Sequence, residues 1–198
     1  MLSAEERLAA LDIARVSVAR ALHQRYPEAV PAARSAAAFE GALNGVLAEP
    51  AGAFVTLRID HTLRGCIGYI ESSDPLSSVI DEVAEKAAFE DPRFPPLTPD
   101  EFRRVHIEIS VLSPMKRIKS IEEIVVGTHG LLLEHGWHRG LLLPQVATEY
   151  GWGREEFLDN VARKAGLPSG AWRDEMTKLY VFSAVVFEES EKSHDASS

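Results

Sequence analysis

Residues 61–70 read HTLRGCIGYI, placing the chain's only cysteine, Cys66, between two glycines and two positions after an arginine. In an extended strand, residues two apart share a face. Arg64, Cys66, Gly68 and Ile70 are therefore expected to point one way, and Gly65, Ile67 and Tyr69 the other. A guanidinium about 6–7 Å along the strand from the sulfur, with water partly excluded, would favour thiolate over thiol and make Cys66 a candidate nucleophile or proton donor. Gly68 would leave a notch beside the sulfur, and Gly65 permits a bulge or a close backbone approach, so both glycines are candidate lining residues. A plainer reading stands beside this one. A free cysteine packs as a small hydrophobe, Arg64 can be an ordinary surface cation, and Gly65 can mark a bulge and nothing more.

Two further polar residues could complete a site. His129, in GTHGLLL, lies between glycines ahead of an apolar run, where an imidazole can act as acid or base or can close a turn. Arg93, in EDPRFPPL, is held by Pro92, Pro95 and Pro96 in a stiff extended loop, which either pre-organises a cation or only ends a helix. No metal centre is expected. His135 and His138 in HGWH lack further ligands at zinc spacing, and His106 with Glu108 suits a solvated sheet face. The chain has no HExxH, P-loop, GxGxxG, GxSxG or CxxC motif, so no particular cofactor is indicated.

The elements that must position these residues follow from pattern. Ser3 and Glu6 stand at capping-box spacing, and Leu8, Leu11, Ala14, Val18, Ala21 and Leu22 recur on one helical face. After a loop rich in Ala and Pro, residues 53–60 and 62–70 read as an antiparallel strand pair. A helix is expected to follow, with Asp74 as N-cap, Pro75 in its first position and a stop at Asp91–Pro92. Thr98 and Glu101 start a short helix before a strand in which Val105, Ile107, Ile109 and Val111 alternate with polar residues. Ser120 to Glu123 caps one helical turn, 129–144 forms a hairpin turning around Gly136 to Arg139, and 154–166 is an amphipathic helix ended by Gly166. Residues 178–189 are apolar on both parities, as in a central strand covered on both sides. The tail from Ser190 onward is expected to be disordered.

At 198 residues, 45% apolar content and net charge −9, the chain has material for one core or two small ones, and its acidic balance argues against a nucleic-acid partner. One cysteine forms no intrachain disulfide, no signal-peptide pattern is present, and no apolar run approaches the roughly 20 residues of a spanning helix. A soluble, cytoplasmic protein away from membranes is the expectation.

LRGCIG at 63–68 is the hexapeptide signature of the AMMECR domain family. The resemblance continues through GAFVTL (52–57), EDPRFPPLT (90–98), HIEISVLSP (106–114), GTHGLLL (127–133), LPQVATEYGW (143–152) and FLDNVARKAGL (157–167), spanning about residues 5–188. It implies an α+β fold of two subdomains, each with an antiparallel sheet and flanking helices, and a cleft between them faced by the hexapeptide. The expected division is a larger subdomain from 1–116 and 173–198 and a smaller inserted one from 117–172. It also implies a pathway shared with Memo-like and radical-SAM proteins, the neighbours for which the AmmeMemoRadiSam system is named. The family has no securely assigned activity. Two functions are therefore carried forward: an enzyme using Cys66, Arg64, Arg93 and His129, and a non-catalytic module that binds a peptide, a small molecule or a partner protein.

Overall fold

A computed structural model describes residues 2–32 and 45–190. The tail 191–198 and part of the Ala- and Pro-rich loop lie outside the described residues. The chain divides into two units, Met1–Val111 with Val186–Ser198, and Leu112–Val185. The second unit is thus wider at both ends than the expected 117–172, because strands on either side of that segment belong to its sheet.

In the first unit, helix α1 (Ala4–Arg25) begins with the Ser3–Glu6 capping box formed in both directions. Its buried stripe runs from Ala10 through Leu11, Ala14 and Val18 to Leu22, while Leu8 is exposed, outside the stripe expected for it. Strands β1 (Ala53–Ile59) and β2 (Thr62–Tyr69) pair antiparallel across a tight turn at Asp60 and His61, both left-handed as a twisted two-residue hairpin requires. Helix α2 (Leu76–Phe89) starts one residue later than expected. Pro75 is its N-cap, and the carbonyl of Glu49 accepts from the Leu76 amide, so a backbone group replaces the Asp74 side chain as cap. Helix α3 (Pro99–Arg104), capped by Thr98 and Glu101, leads into β3 (His106–Leu112).

The first sheet has the order β2-β1-β3-β8, where β8 is Ala184–Glu188. Ala53, Val55, Leu57, Ile107 and Ile109 are buried, as are Val79, Ile80, Val83, Ala84 and Ala87 of the packed helix α2. Burial of each Val, Leu or Ile side chain among them is worth about 1.5–3 kcal/mol before entropy is counted. The alternating polar residues include Thr56, Arg58, Cys66, His106 and Glu108, so one β-strand period separates core from chemistry.

The second unit contains β4 (Lys116–Ile118), the hairpin β5 (Gly130–His135) and β6 (His138–Leu142), helices α4 (Pro144–Glu149) and α5 (Arg154–Lys164), and β7 (Lys178–Phe182). Its sheet order is β4-β7-β5-β6, packed around Leu131, Leu133, Phe157, Leu158, Val161 and Trp172. The apolar run 178–189 is therefore two strands and not one: β7 is central in the second sheet and β8 is an edge of the first, with the chain passing from one to the other at Ser183. No described helix is long and apolar enough to cross a membrane.

Candidate functional site

The strand carrying Cys66 departs from simple alternation at one residue. Leu57 faces Gly65 but Arg58 faces Leu63, so Arg64 is the extra residue of a β-bulge. A bulge resets the period of two, and Arg64 no longer shares a face with Cys66. Its guanidinium, buried except for a tenth of its side-chain surface, grips Glu101 through Nε (2.8 Å) and Nη2 (3.0 Å), and Nη2 also donates to the Pro95 carbonyl (2.9 Å). The same Glu101 closes the α3 capping box, accepting from Thr98 N and Oγ1, and these donors together hold its carboxyl down at about 2. The expectation that Arg64 polarises the thiol is thus corrected: it clasps β2 to the start of α3.

The cation that does reach Cys66 is Arg93. Asp91, whose side chain is only 2% exposed, accepts four hydrogen bonds: at Oδ1 from Arg93 N (3.1 Å) and Nε (2.9 Å), and at Oδ2 from Arg93 Nη2 (2.7 Å) and Cys66 N (2.9 Å). The guanidinium and the amides hold the Asp91 carboxyl far below the usual aspartate range. Arg93 Nη2 also donates to the Cys66 carbonyl (3.3 Å), and about half of the Arg93 side chain remains exposed. Phe94 lies beside both arginines, with ring-to-guanidinium distances of 5.8 Å to Arg64 and 5.5 Å to Arg93.

The sulfur itself is partly buried and accepts from Thr56 Oγ1 at 3.3 Å. Burial pushes the Cys66 thiol up, and the nearby carboxylates of Asp91 and Glu108 add to this. The Thr56 hydroxyl and the Arg93 charge oppose the rise without overcoming it. Cys66 is therefore a neutral thiol at physiological pH, where the sequence suggested a thiolate.

The two glycines are both filled positions. A Cβ on Gly65 would stand 2.1 Å from the Ala87 carbonyl oxygen, so α2 lies directly against β2 there. A Cβ on Gly68 would meet the Phe54 ring at 2.3 Å, so the expected notch beside the sulfur is occupied by an aromatic side chain of this chain. His129 belongs to the second unit, where its Nδ1 accepts from Val125 N (3.2 Å) and its own amide donates to the Val125 carbonyl (2.9 Å), closing a turn ahead of β5. His135 and His138 engage Thr177 and the Ala165 carbonyl, and among the described residues no group of three or more His, Cys, Asp or Glu side chains is arranged to hold a metal ion.

Asp91, Thr56, Glu101 and Phe94 are the residues that sequence reasoning missed. The acid-Pro-Arg order of 91–93 carried a signal for the first, since an aspartate two residues before an arginine across a proline is placed to fold back on it.

A two-sheet α+β chain with a clamped LRGCIG strand defines a recognisable class. The structure matches the crystal structure of an uncharacterized protein from Pyrococcus horikoshii with a TM-score of 0.79 and 36% identity, covering 91% of this chain and 90% of that one. The AMMECR1 family profile matches residues 11–187, and the chain belongs to that family. It is also 47% identical over 154 residues to a protein of Methanothermobacter thermautotrophicus, covering 74% of this chain and 80% of that one. A protein of Methanocaldococcus jannaschii is 46% identical over 154 residues, with 74% and 77% covered.

Proposed function

We propose that the chain acts in a pathway with Memo-like and radical-SAM proteins, and that its working surface is the Cys66–Arg93 region of the first unit, where an anionic group of a ligand is held. The observation that carries the site is the Asp91–Arg93 pair: a buried carboxylate fixes a guanidinium that is half exposed and lies over the backbone of Cys66. Fixing a cation in advance lowers the entropy lost when it captures an anion. The protonated thiol next to it can donate a proton or a weak hydrogen bond; it does not supply a standing nucleophile. Arg64 and His129 do not enter this reading, because the Arg64 guanidinium is buried and held by Glu101 and Pro95, and His129 belongs to the second unit, where its Nδ1 is engaged by Val125.

The neutral thiol also favours a second reading, a binding module without catalysis. Both are tested in a host encoding all three proteins. Loss of this chain, of the Memo-like protein or of the radical-SAM enzyme is expected to produce the same change in untargeted metabolite profiles. Arg93→Gln is expected to fail to restore the profile, whereas Arg104→Gln, at an exposed ion pair with Asp60, restores it. Cys66→Ser separates the two readings: failure supports a proton-donor role, and full restoration supports the binding module. Restoration by Arg93→Gln would sink the site, and three unrelated profiles would sink the shared pathway.

A further inference from the structure

Strand β2 is an edge of its sheet, so one side of its backbone faces away from β1. Thr56 and Cys66 stand opposite each other, and the Cys66 amide donates outward to Asp91, which makes this a pair without mutual backbone bonds. Antiparallel ladders alternate strictly between the two pair types, so Phe54–Gly68 is the next pair of the same kind and the N–H and C=O of Gly68 also point outward. The two outward positions are treated differently. At Cys66 the Asp91 carboxylate takes the amide and the Arg93 guanidinium takes the carbonyl, as a neighbouring strand would. At Gly68 neither backbone group has a partner among the described residues. Open edges are usually blunted by charge, proline or a bulge. Here the bulge and the side-chain strap guard 64–66 and leave 68 open.

The strap also limits what can dock. A strand added at Gly68 and running antiparallel to β2 meets Asp91 and Arg93 at Cys66 and can go no further, so it must end there. A chain that ends presents a carboxylate, and Nη1 of Arg93 donates to no described residue while the side chain is half exposed. The Phe54 ring against Gly68 offers an apolar contact next to the open backbone groups. We propose that the free edge of β2 at Gly68 takes up the C-terminal residues of a peptide as an added antiparallel strand, its terminal carboxylate on Nη1 of Arg93. This rests on the reading of Arg93 as an anion anchor and names the ligand class. Because Asp91 offsets the charge of Arg93 at a distance, the contact is a directed charge-assisted hydrogen bond with little long-range steering.

The test uses the full chain and a library of random decapeptides displayed with free C-termini. Enriched sequences are resynthesised as the free acid, as the C-terminal amide and with N-methyl groups on the residues that would face Gly68. Amidation and N-methylation are each expected to weaken binding at least tenfold by fluorescence anisotropy, and the acid is expected to slow hydrogen exchange at the Gly68 amide. Arg93→Lys, which keeps the charge but loses the fork, is expected to weaken the acid and leave the amide unchanged. Because the decisive changes are made on the peptide, a folding defect cannot imitate them. No enrichment, equal binding of acid and amide, or an unprotected Gly68 amide would overturn the proposal. If Arg93→Gln still fails in the host while no peptide is selected, strand addition is wrong and the anion site stands.

Discussion

Replacing Asp91 with asparagine removes a charge and almost no volume, so its cost reads out the hydrogen bonds alone. The carboxylate accepts four donors, two on each oxygen. An amide has one acceptor oxygen, so its NH2 must face one of the two pairs of donors. Either Arg93 N and Nε lose their acceptor, or Cys66 N and Arg93 Nη2 do. Hydrogen bonds to a charged group contribute about 1.5–3 kcal/mol each. Breaking a fully buried ion pair costs about 3–5 kcal/mol. Arg93 is half exposed and recovers water at its side-chain nitrogens, whereas a buried backbone N–H does not. The expected loss is therefore about 2–3 kcal/mol, a fall of about 5–10 °C in the midpoint of the transition that unfolds the first unit. Urea denaturation followed by hydrogen exchange at the Cys66 amide measures both the size and the place of the effect. The pH dependence has a fixed sign. The folded carboxyl lies below its unfolded value, so its contribution is complete above the ordinary aspartate range and is lost as pH falls through and below it. Wild type and Asp91→Asn should converge on acidification. A difference under about 0.5 kcal/mol at pH 7, or one that does not shrink in acid, would refute the role assigned to Asp91.

Cys66 is expected to react with iodoacetamide several-fold more slowly than free cysteine at pH 7.5, with the rate climbing only above the ordinary thiol range. The thiol is raised by burial, so the stability linked to it is complete below that range and is lost as pH rises through the folded value. A thiolate absorbance at neutral pH would contradict this. Arg64→Lys is expected to destabilise the first unit by about 2–3 kcal/mol, since an ammonium cannot span both oxygens of Glu101 and the Pro95 carbonyl. Glu101, held at about 2, returns toward its ordinary value in the variant, so the gap from wild type should close as pH falls from the ordinary glutamate range through 2. A gap that persists in acid would show that Glu101 is not the partner that matters.

Local periodicity reached most of the fold. The capping boxes of Ser3–Glu6, Thr98–Glu101 and Ser120–Glu123 all form, and the alternation of 53–60 and 105–111 places Val55, Leu57, Ile107 and Ile109 in the core. It failed where an event is not periodic. One extra residue at Arg64 turns a guanidinium from the thiol to Glu101. Gly65 beside it permits a bulge, but a glycine in a strand fixes neither that the bulge forms nor which way Arg64 turns. The run 178–189 is apolar on both parities, and one serine inside it, Ser183, does not by itself tell a single covered strand from two strands in different sheets. The Asp91–Cys66 bond joins residues 25 apart in sequence, a separation at which local composition carries no register.

The small residues of the hexapeptide can now be divided by cause. Gly65 is small because the Ala87 carbonyl of α2 would meet any side chain there, and Gly68 because Phe54 lies against it. Both requirements are met inside the first unit and involve no ligand, so neither glycine argues for a site. What packing does not require is the half-exposed guanidinium of Arg93. Asp91 is needed for stability, because it satisfies the amides of Cys66 and Arg93 as well as the guanidinium. What the pair adds is orientation: it sets Nη2 of Arg93 on the Cys66 carbonyl while about half of the arginine side chain stays exposed. The chemistry of this strand accordingly lies along its outer edge and not in the spaces its glycines leave.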